Sequence, residues 1–351
     1  MTVRAVLFDA ADRPLVVGET ARRNLAPDEV RLDIAACGIC GSDLHMAHAP
    51  ETFGITSGAV LGHEFAGTVN ETGEAVRDLA VGDRVAVMPI RGCGACRACL
   101  DGEPAWCPEM SLGGGGYADS TVVAARQCRP VPPEVSLDDA ALAEPTAVAL
   151  HAVMRCPPAV GSSVLVLGAG PIGLLVAYWA RRLGASEVVV ADIAPHQKDR
   201  ALAMGATGFE LSGEGLAGRL TARGPLPDFV YECVGKPGLI DLSVSLVRAR
   251  GTVVGIGLCV EPDRFDGFAA LHKEASIVMS AFFGVADFDV ALSALAATHG
   301  PRPQLLVTDR VGLDDLPSAF AALYDRTTAC KVLVRPGQGD YRIRSAGDTA
   351  P

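Results

Sequence analysis

VLVLGAGPIG, residues 164–173, is an apolar strand that runs into a Gly-x-Gly-x-x-Gly turn and then into the start of a helix. In such a turn the first glycine allows a tight bend, the second lets the backbone approach a pyrophosphate, and the third lets the helix pack closely on the strand. The helix N-terminus adds N–H donors and a partial positive charge. For the glycines alone, an ordinary strand–turn–helix is the alternative. We predict a dinucleotide site that comprises Gly168, Gly170, Pro171, Ile172 and Gly173.

Asp192 supports this interpretation, because it ends the next predicted strand, 19 residues after Gly173. An acid at this distance accepts hydrogen bonds from the ribose hydroxyls of the adenosine. It also repels a 2′-phosphate, so the sequence favours NAD over NADP. Lys198 and Arg200 on the following helix soften this preference, and a solvated strand end is the alternative for Asp192 taken alone.

Around this turn, short apolar runs alternate with helical stretches from about Pro158 onward. The predicted strands are Val164–Leu167, Glu187–Ala191, Phe229–Glu232, Thr252–Gly255 and Ser276–Met279. Alternation of this kind indicates an α/β fold with a parallel, doubly wound sheet. After about Asp287 the pattern predicts a helix, a strand, a helix and a final strand, followed by a polar, Gly-rich tail beyond Pro336.

The first part of the chain, to about residue 125, has a different pattern. Short alternating runs are separated there by Gly, Pro and Asp, as in Glu29–Ala36 and Phe65–Glu71. Many short strands with turn residues between them are typical of a small β-barrel-like domain. The sequence therefore predicts a β-rich domain beside the parallel sheet.

Four cysteines form a Cys-x2-Cys-x2-Cys-x7-Cys array on a short Gly-rich segment, at Cys93, Cys96, Cys99 and Cys107. Four thiolates this close complete a tetrahedral shell around one Zn²⁺ and leave no position open for chemistry. An iron–sulfur cluster or a redox pair are the alternatives, but the bacterial ferredoxin run has a shorter last gap followed by Pro. We predict a structural zinc site.

A second set of metal-ligating residues precedes this array. Cys40 follows a predicted strand, His63 comes 23 residues later, and Glu144 stands before Pro145. Taken singly these are more typical of a core thiol, an interior imidazole and a first-turn acid. Together, a thiolate, an imidazole and a carboxylate around Zn²⁺ with one open position form a catalytic arrangement.

Charge and composition restrict the partners. The chain has 30 basic and 41 acidic side chains, a net charge of −11 and no basic cluster, which argues against a nucleic-acid partner. The opening residues read as a strand instead of a targeting segment, and the most apolar stretch, Val164–Ala180, is too short to span a bilayer. Cysteines outside the two metal sets are scattered, which favours reduced thiols in a cytoplasmic protein.

The motifs taken together resemble the zinc-dependent medium-chain alcohol dehydrogenases. The resemblance rests on Gly38–His45, on the Gly-His-Glu-x2-Gly-x5-Gly motif of Gly62–Gly73, on Gly82–Val85, on the four cysteines and on the glycine-rich turn, which occur in the family's order over residues 1 to about 336. It implies a GroES-like catalytic domain at 1–155, with the structural zinc lobe at 91–110, a Rossmann NAD-binding domain at 156–286, and a return to the catalytic domain with a C-terminal tail at 287–351. It also implies two Zn²⁺ per chain and a homodimer or homotetramer.

The resemblance assigns the catalytic metal ligands residue by residue. Cys40 and His63 match the thiolate and imidazole ligands, and Glu64 matches the acid that approaches or exchanges at the metal. Glu144 matches the third ligand of the polyol-dehydrogenase branch.

It also implies a proton path. Ser42 matches the hydroxyl that takes the alcohol proton, and His45 matches the imidazole that relays the proton to solvent. Asp43 resembles the carboxylate that orients the zinc-bound histidine. The implied activity is hydride transfer from a secondary alcohol to NAD⁺, which gives a ketone.

The substrate is left open by two opposing indications. Met46, Phe53 and Ile55, in the segment that lines the family's substrate pocket, favour an apolar and cyclic secondary alcohol, whereas Glu144 favours a polyol. Two other functions stay open: a zinc-independent NAD(P)H enone or quinone reductase of the same superfamily, and a non-catalytic dinucleotide-binding protein.

Overall fold

The computed structural model describes residues 1–324 and 329–337, so the predicted tail lies, from residue 338 on, outside the described residues. The chain forms two compact units. The β-rich unit comprises Met1–Glu144, Gly284–Ala296 and the described residues from Val307 onward, and the parallel-sheet unit comprises Pro145–Phe283 and Ala297–Leu306.

Strands and helices are distributed over both units. The strands are β1 (Thr2–Leu7), β2 (Val16–Ala21), β3 (Glu29–Gly38), β4 (Glu64–Thr72), β5 (Arg84–Val87), β6 (Ile90–Arg91), β7 (Ser111–Leu112), β8 (Ser120–Ala124), β9 (Cys128–Pro130), β10 (Ser163–Leu167), β11 (Glu187–Asp192), β12 (Gly208–Leu211), β13 (Phe229–Glu232), β14 (Thr252–Gly255), β15 (Ser276–Met279), β16 (Val307–Val311) and β17 (Lys331–Val334). The α-helices are α1 (Gly41–His48), α2 (Pro50–Phe53), α3 (Arg97–Leu100), α4 (Leu137–Ala140), α5 (Ala143–Arg155), α6 (Pro171–Arg182), α7 (Lys198–Ala203), α8 (Leu216–Arg223), α9 (Leu239–Leu246), α10 (Gly267–His272), α11 (Val285–Ala294) and α12 (Leu316–Tyr324). Short 3₁₀ turns occur at Pro104–Trp106, Ala125–Gln127, Pro195–Gln197 and Pro303–Leu306.

The parallel-sheet unit confirms the predicted doubly wound fold. Its six strands lie in the order β12-β11-β10-β13-β14-β15, and every pair is parallel. Apolar strand residues such as Leu165, Val230 and Val253 form its core and are at most 1% exposed. The strand order reverses at β10, and in open sheets of this kind ligands bind beyond the carboxyl ends of the strands at such a reversal.

The β-rich unit is built on a seven-stranded sheet in the order β16-β17-β3-β4-β5-β9, with β8 also paired to β3. Strands β3 and β4 run antiparallel, and Gly38 at the end of β3 lies opposite Glu64 at the start of β4. The last described strand, β17, pairs with β3 beside this point. The sheet therefore brings three distant parts of the sequence together where β3 ends.

The compact units and the predicted domains divide the chain at different residues. Helix α5 begins in one unit and continues in the other, so the predicted boundary at residue 155 falls at its end. Residues 297–306 join the parallel-sheet unit, because the turn Pro303–Leu306 packs against α6 and α7. The domain boundaries at 155 and 286 stay a prediction.

Among the described residues, no helix has both the length and the apolar composition that crossing a bilayer would need.

Candidate functional site

Cys40, His63 and Glu64 meet at the place where β3 ends and β4 begins. Cys40 is the N-cap residue of α1, Glu64 is the first residue of β4, and His63 directly precedes that strand. One ligand atom from each residue lies within 4.8 Å of the other two. The structure thus brings together a thiol, an imidazole and a carboxylate, a donor set that suits Zn²⁺.

A glycine opposite Glu64 makes room for this arrangement. A Cβ atom placed on Gly38 would lie 2.0 Å from Oε2 of Glu64, closer than atoms in contact can approach. The Glu64 side chain therefore occupies the space that a side chain at position 38 would need. The close pairing of β3 and β4 depends on glycine at this position.

Asp43 holds His63 in one tautomer. Asp43 Oδ1 lies 3.2 Å from Nδ1 of His63, and since a carboxylate only accepts, the proton belongs on Nδ1. This leaves Nε2 of His63 available as a ligand atom. Burial alone would raise the pKa of Asp43, but the His63 charge and hydrogen bond, with further donors, outweigh it and hold that pKa below its usual value.

Ser42 lies directly at the ligand atoms. Its hydroxyl donates to Sγ of Cys40 at 3.1 Å, and its Oγ is 3.2 Å from Nε2 of His63. His45 follows three residues later on α1, so the two side chains share one face of the helix. His45 is half-buried, and burial, together with the charge of His48, lowers its pKa.

Glu64 has a partner that sequence reasoning missed. Nζ of Lys331 lies 2.7 Å from both carboxylate oxygens of Glu64 and 2.9 Å from the carbonyl oxygen of Ile39. Burial acts to lower the pKa of Lys331, but the negative charges of Glu64 and Cys40 outweigh burial and raise that pKa above its usual value. The amine therefore stays protonated. The one sequence signal is a charged residue that opens an otherwise apolar strand, Lys331–Val334.

Glu144 lies near this group but is not one of its three members. It is 8% exposed and belongs to the first turn of α5. Burial raises its pKa to about 7, an effect that the neighbouring His63 charge opposes. Its role as a third ligand stays a prediction.

The four cysteines of the array also converge. The sulfurs of Cys93, Cys96, Cys99 and Cys107 all lie within 4.8 Å of one another. Backbone N–H groups point at them, from Cys93 to the Cys107 sulfur at 3.3 Å and from Cys96 to the Cys93 sulfur at 3.3 Å. Such donors stabilise the thiolate form, and the N–H groups of Ala95 and Cys96 lower the pKa of Cys93 to about 7. The donor set and spacing fit a closed Zn²⁺ site.

The glycine-rich turn has the shape expected of a dinucleotide site. Gly168 has φ +99°, and a Cβ atom on Gly173 would lie 1.9 Å from the Gly168 carbonyl oxygen, so helix and turn approach as closely as glycine allows. Gly170 is the N-cap of α6, Pro171 and Ile172 open the helix, and a Cβ atom on Gly170 would meet nothing within 4 Å. The backbone at Gly170 is therefore open to an incoming ligand.

Asp192 is fixed at the carboxyl end of β11, beside this turn. Its Oδ2 accepts from the Ala169 N–H at 2.6 Å, and its Oδ1 accepts from the Ala194 N–H at 2.8 Å. Each carboxylate oxygen keeps a lone pair for a further donor such as a ribose hydroxyl. Arg200 donates to Gln197, and Lys198 is exposed.

The apolar residues expected near the substrate, Met46, Phe53 and Ile55, lie in or against the core of the β-rich unit. Met46 belongs to the core cluster of the β-rich unit, and Phe53 and Ile55 pack against that cluster. These positions give little support to an apolar substrate.

Comparison with known proteins agrees with this geometry. The alcohol dehydrogenase GroES-like domain family matches residues 26–133, and the zinc-binding dehydrogenase family matches residues 171–297. L-idonate 5-dehydrogenase (NAD(P)(+)) of Escherichia coli K12 is 31% identical over 313 residues, which cover 86% of this chain and 90% of that relative. Sorbitol dehydrogenase of Bombyx mori is 30% identical over 322 residues, 88% of this chain and 91% of the relative.

A solved structure extends the agreement to the whole fold. A short chain alcohol dehydrogenase from E. coli CFT073, in complex with NADH, has a TM-score of 0.87 at 27% identity and covers 95% of this chain and 99% of its own. Its fold and the identities above lead to one assignment. The chain belongs to the zinc-dependent medium-chain alcohol dehydrogenase family, within its polyol dehydrogenase branch.

Proposed function

We propose that this protein oxidises a secondary alcohol, of the polyol or sugar-acid class, to a ketone with NAD⁺ and a catalytic Zn²⁺. The observation that carries the proposal is the approach of Cys40, His63 and Glu64 ligand atoms to within 4.8 Å, with the Ser42 hydroxyl 3.1 Å from the Cys40 sulfur. The relatives named sorbitol dehydrogenase and L-idonate 5-dehydrogenase support the substrate class. The contacts of Met46, Phe53 and Ile55 with the core of the β-rich unit, Met46 within it and the other two packed against it, weigh against an apolar alcohol.

Each polar residue of the site has a part in the reaction. Cys40 and His63 would hold the metal, with Glu64 or Glu144 as the third ligand. When bound, Zn²⁺ supplies Lewis acidity that lowers the pKa of a hydroxyl, and the dinucleotide is the hydride acceptor. Ser42 accepts the proton of the substrate hydroxyl, and His45 passes it to solvent. Asp43 would hold the proton of the neutral His63 ring on Nδ1, so that Nε2 is the atom available to the metal.

The cofactor preference follows from Asp192. Its carboxylate, held by the N–H groups of Ala169 and Ala194, is placed to accept from ribose hydroxyls and to repel a 2′-phosphate. Arg200, one of the two basic residues on the following helix that would favour a 2′-phosphate, donates to Gln197. NAD is therefore preferred over NADP, although one relative carries both in its name.

The four-cysteine array holds a second, structural Zn²⁺, which brings the content to two ions per chain. A Cβ atom on Gly92 would lie 2.4 Å from the sulfur of Cys99, so the backbone there is kept clear for the sulfur cluster. The scattered thiols outside the two metal sets are typical of a protein in a reducing compartment, and we place this protein in the cytoplasm.

The protein assembles as a homodimer or a homotetramer. Strand β15 is the last strand of the parallel sheet. Near it Phe268, Leu271 and Met279 are 71%, 75% and 62% exposed. Large apolar side chains at a strand edge are typical of an interface. Analytical ultracentrifugation of Leu271→Asp tests this, with dissociation relative to the unmutated protein as the expected result.

The activity is tested by metal analysis and an alcohol panel on purified protein. We expect two zinc ions per chain and NADH formation from sorbitol, xylitol or idonate, with slower turnover of a cyclic secondary alcohol. Cys40→Ser should remove one zinc and the activity, whereas Cys156→Ser, a half-buried thiol outside both clusters, should remove neither. A protein that carries zinc only at the four cysteines and reduces enones or quinones instead would contradict the proposal.

A further inference from the structure

Tyr117 reaches the metal site from a loop far along the chain. Its side chain is fully buried, and its hydroxyl donates to Oδ2 of Asp43 at 2.6 Å across 74 residues of sequence. This is the shortest of four hydrogen bonds to that carboxylate. The other three, from Cys40 N–H, Gly62 N–H and His63 Nδ1, are 3.1, 3.2 and 3.2 Å long.

The Tyr117 ring has little freedom to move. Gly62 has φ +83°, and a Cβ atom there would lie 2.5 Å from Cδ1 and 2.6 Å from Cε1 of the ring. The Tyr117 backbone is fixed as well, because its N–H donates to Leu61 and its carbonyl accepts from Val6. A ring seated this tightly delivers its hydroxyl to one place.

The four donors divide evenly between the two carboxylate oxygens. Tyr117 and the Cys40 N–H bind Oδ2, while the Gly62 N–H and His63 bind Oδ1. The pair at Oδ2 sets the plane of the carboxylate, and that plane sets the direction in which Oδ1 meets the imidazole. Removal of the Tyr117 hydroxyl leaves Oδ2 with one longer bond.

We propose that Tyr117 is a positioning residue of the catalytic metal site, whose hydroxyl fixes the Asp43 carboxylate and, through it, the His63 ring. The proposal rests on the proposed function, since it takes His63 as a metal ligand. Partners of metal-binding histidines change metal affinity or activity by roughly 10- to 100-fold when they are removed. Tyr117 contacts Asp43 and not His63 itself, so we expect its removal to weaken metal binding by about tenfold, the lower end of this range.

The test compares Tyr117→Phe with Tyr231→Phe in Co²⁺-substituted protein. Tyr231 is a fully buried tyrosine of the parallel-sheet unit, whose hydroxyl meets the Cys156 carbonyl at 3.4 Å, so it matches the change without touching the site. We expect Tyr117→Phe to shift the visible absorption of Co²⁺ bound at Cys40, His63 and Glu64. We also expect a chelator to remove this Co²⁺ about tenfold faster. The Co²⁺ bands of the four-sulfur site should not move, and Tyr231→Phe should match the unmutated protein.

A double-mutant cycle of Tyr117→Phe with Asp43→Asn distinguishes a positioning role of Tyr117 from a general loss of packing around the metal site. If Tyr117 acts through Asp43, the double variant should lose metal no faster than Asp43→Asn alone, whereas additive effects would overturn the proposal. Unchanged spectra and metal loss in Tyr117→Phe, or tighter metal binding, would also overturn it.

If Tyr117→Phe does not fold, 3-fluorotyrosine at position 117 keeps the ring and strengthens the donor, and an unshifted Co²⁺ spectrum would count against the proposal. An unmutated protein that binds no Co²⁺ outside the four cysteines would instead refute the proposed function.

Discussion

Nζ of Lys331 lies 2.7 Å from both carboxylate oxygens of Glu64, and both side chains are at most 1% exposed. Two charges this deeply buried depend on each other, because neither can be hydrated. The pair lies against the candidate metal ligands, so its integrity bears on stability and on the charge of the site.

Loss of the lysine should be strongly destabilising. Lys331→Met leaves the Glu64 carboxylate buried without its partner, and removal of one member of a buried pair costs about 3–5 kcal/mol. Urea unfolding should report this loss in the free energy of unfolding. The double change Lys331→Met with Glu64→Met should recover most of it. Lys198→Met, at an exposed lysine, is the control and should leave the free energy of unfolding unchanged. If Lys198→Met and Lys331→Met lowered that free energy equally, the prediction would be contradicted.

Glu29 should contribute an acid-sensitive part of the stability. Its hydrogen bond to Arg23, opposed by burial and aided by the Ala26 N–H and by Arg91, lowers its pKa to about 2. The folded-state pKa lies below the unfolded one, so this stability is present above about pH 4.5 and is lost as the pH falls toward 2.

Glu29→Gln should therefore reduce the free energy of unfolding by about 2 kcal/mol at pH 7 and by much less at pH 3. Urea midpoints at the two pH values give the comparison. Exposed Glu19→Gln should change neither midpoint. A Glu29→Gln penalty that persists unchanged at pH 3 would show that packing, not charge, is lost.

His45 should matter mainly at low pH. Burial lowers its pKa, and it serves as a proton acceptor only when it is neutral. His45→Ala should slow alcohol oxidation about tenfold near pH 6 and little near pH 9, where hydroxide accepts the proton directly. The measurement is kcat against pH from 5 to 9, and a variant profile identical to that of the unmutated enzyme would remove His45 from the relay.

A substitution of the neighbouring His48 tests the same relay while His45 itself is kept. It is exposed, and its charge lowers the pKa of His45. In His48→Ala the pKa of His45 should rise, and the low-pH limb of the rate profile should move to higher pH without loss of the plateau.

Asp192 should control the choice of dinucleotide. Asp192→Asn keeps an acceptor but removes the charge, so kcat/KM for NAD⁺ should fall about tenfold and that for NADP⁺ should rise. The ratio of the two kcat/KM values is the quantity to measure. Asp199→Asn, an exposed acid on α7, is the matched control. If Asp192→Asn left this ratio unchanged, Asp192 would not be the residue that determines the preference for NAD⁺ over NADP⁺.

The parallel sheet was predictable because its strands are short runs of β-branched and apolar residues. The predicted Phe229–Glu232 and Ser276–Met279 coincide with β13 and β15. Strand β12, Gly208–Leu211, was missed, since it starts with glycine and carries a charge, and its pairing depends on its position beside β11. Local pattern cannot supply such a neighbour.

The site was predictable in its ligand types but not in its supporting contacts. Spacing and resemblance point to Cys40, His63 and Glu64 because metal chemistry limits which side chains can serve. Lys331 and Tyr117 lie 267 and 74 residues from the carboxylates they bind. The charge of Lys331 in an apolar strand is a signal that it needs a partner, but nothing near either residue in sequence identifies that partner. Both follow only from the register of strands and loops.

The distance between Glu64 and Lys331 has a consequence for biosynthesis. Translation produces the thiol, the imidazole and the carboxylate within the first 64 residues, but the ammonium ion that neutralises the carboxylate arrives 267 residues later, on strand β17. A nascent chain that has emerged only through β4 carries the Glu64 carboxylate without the lysine that pairs with it in the folded protein. The mature charge state of the pocket is therefore reached only after residue 331 has left the ribosome and β17 has joined β3.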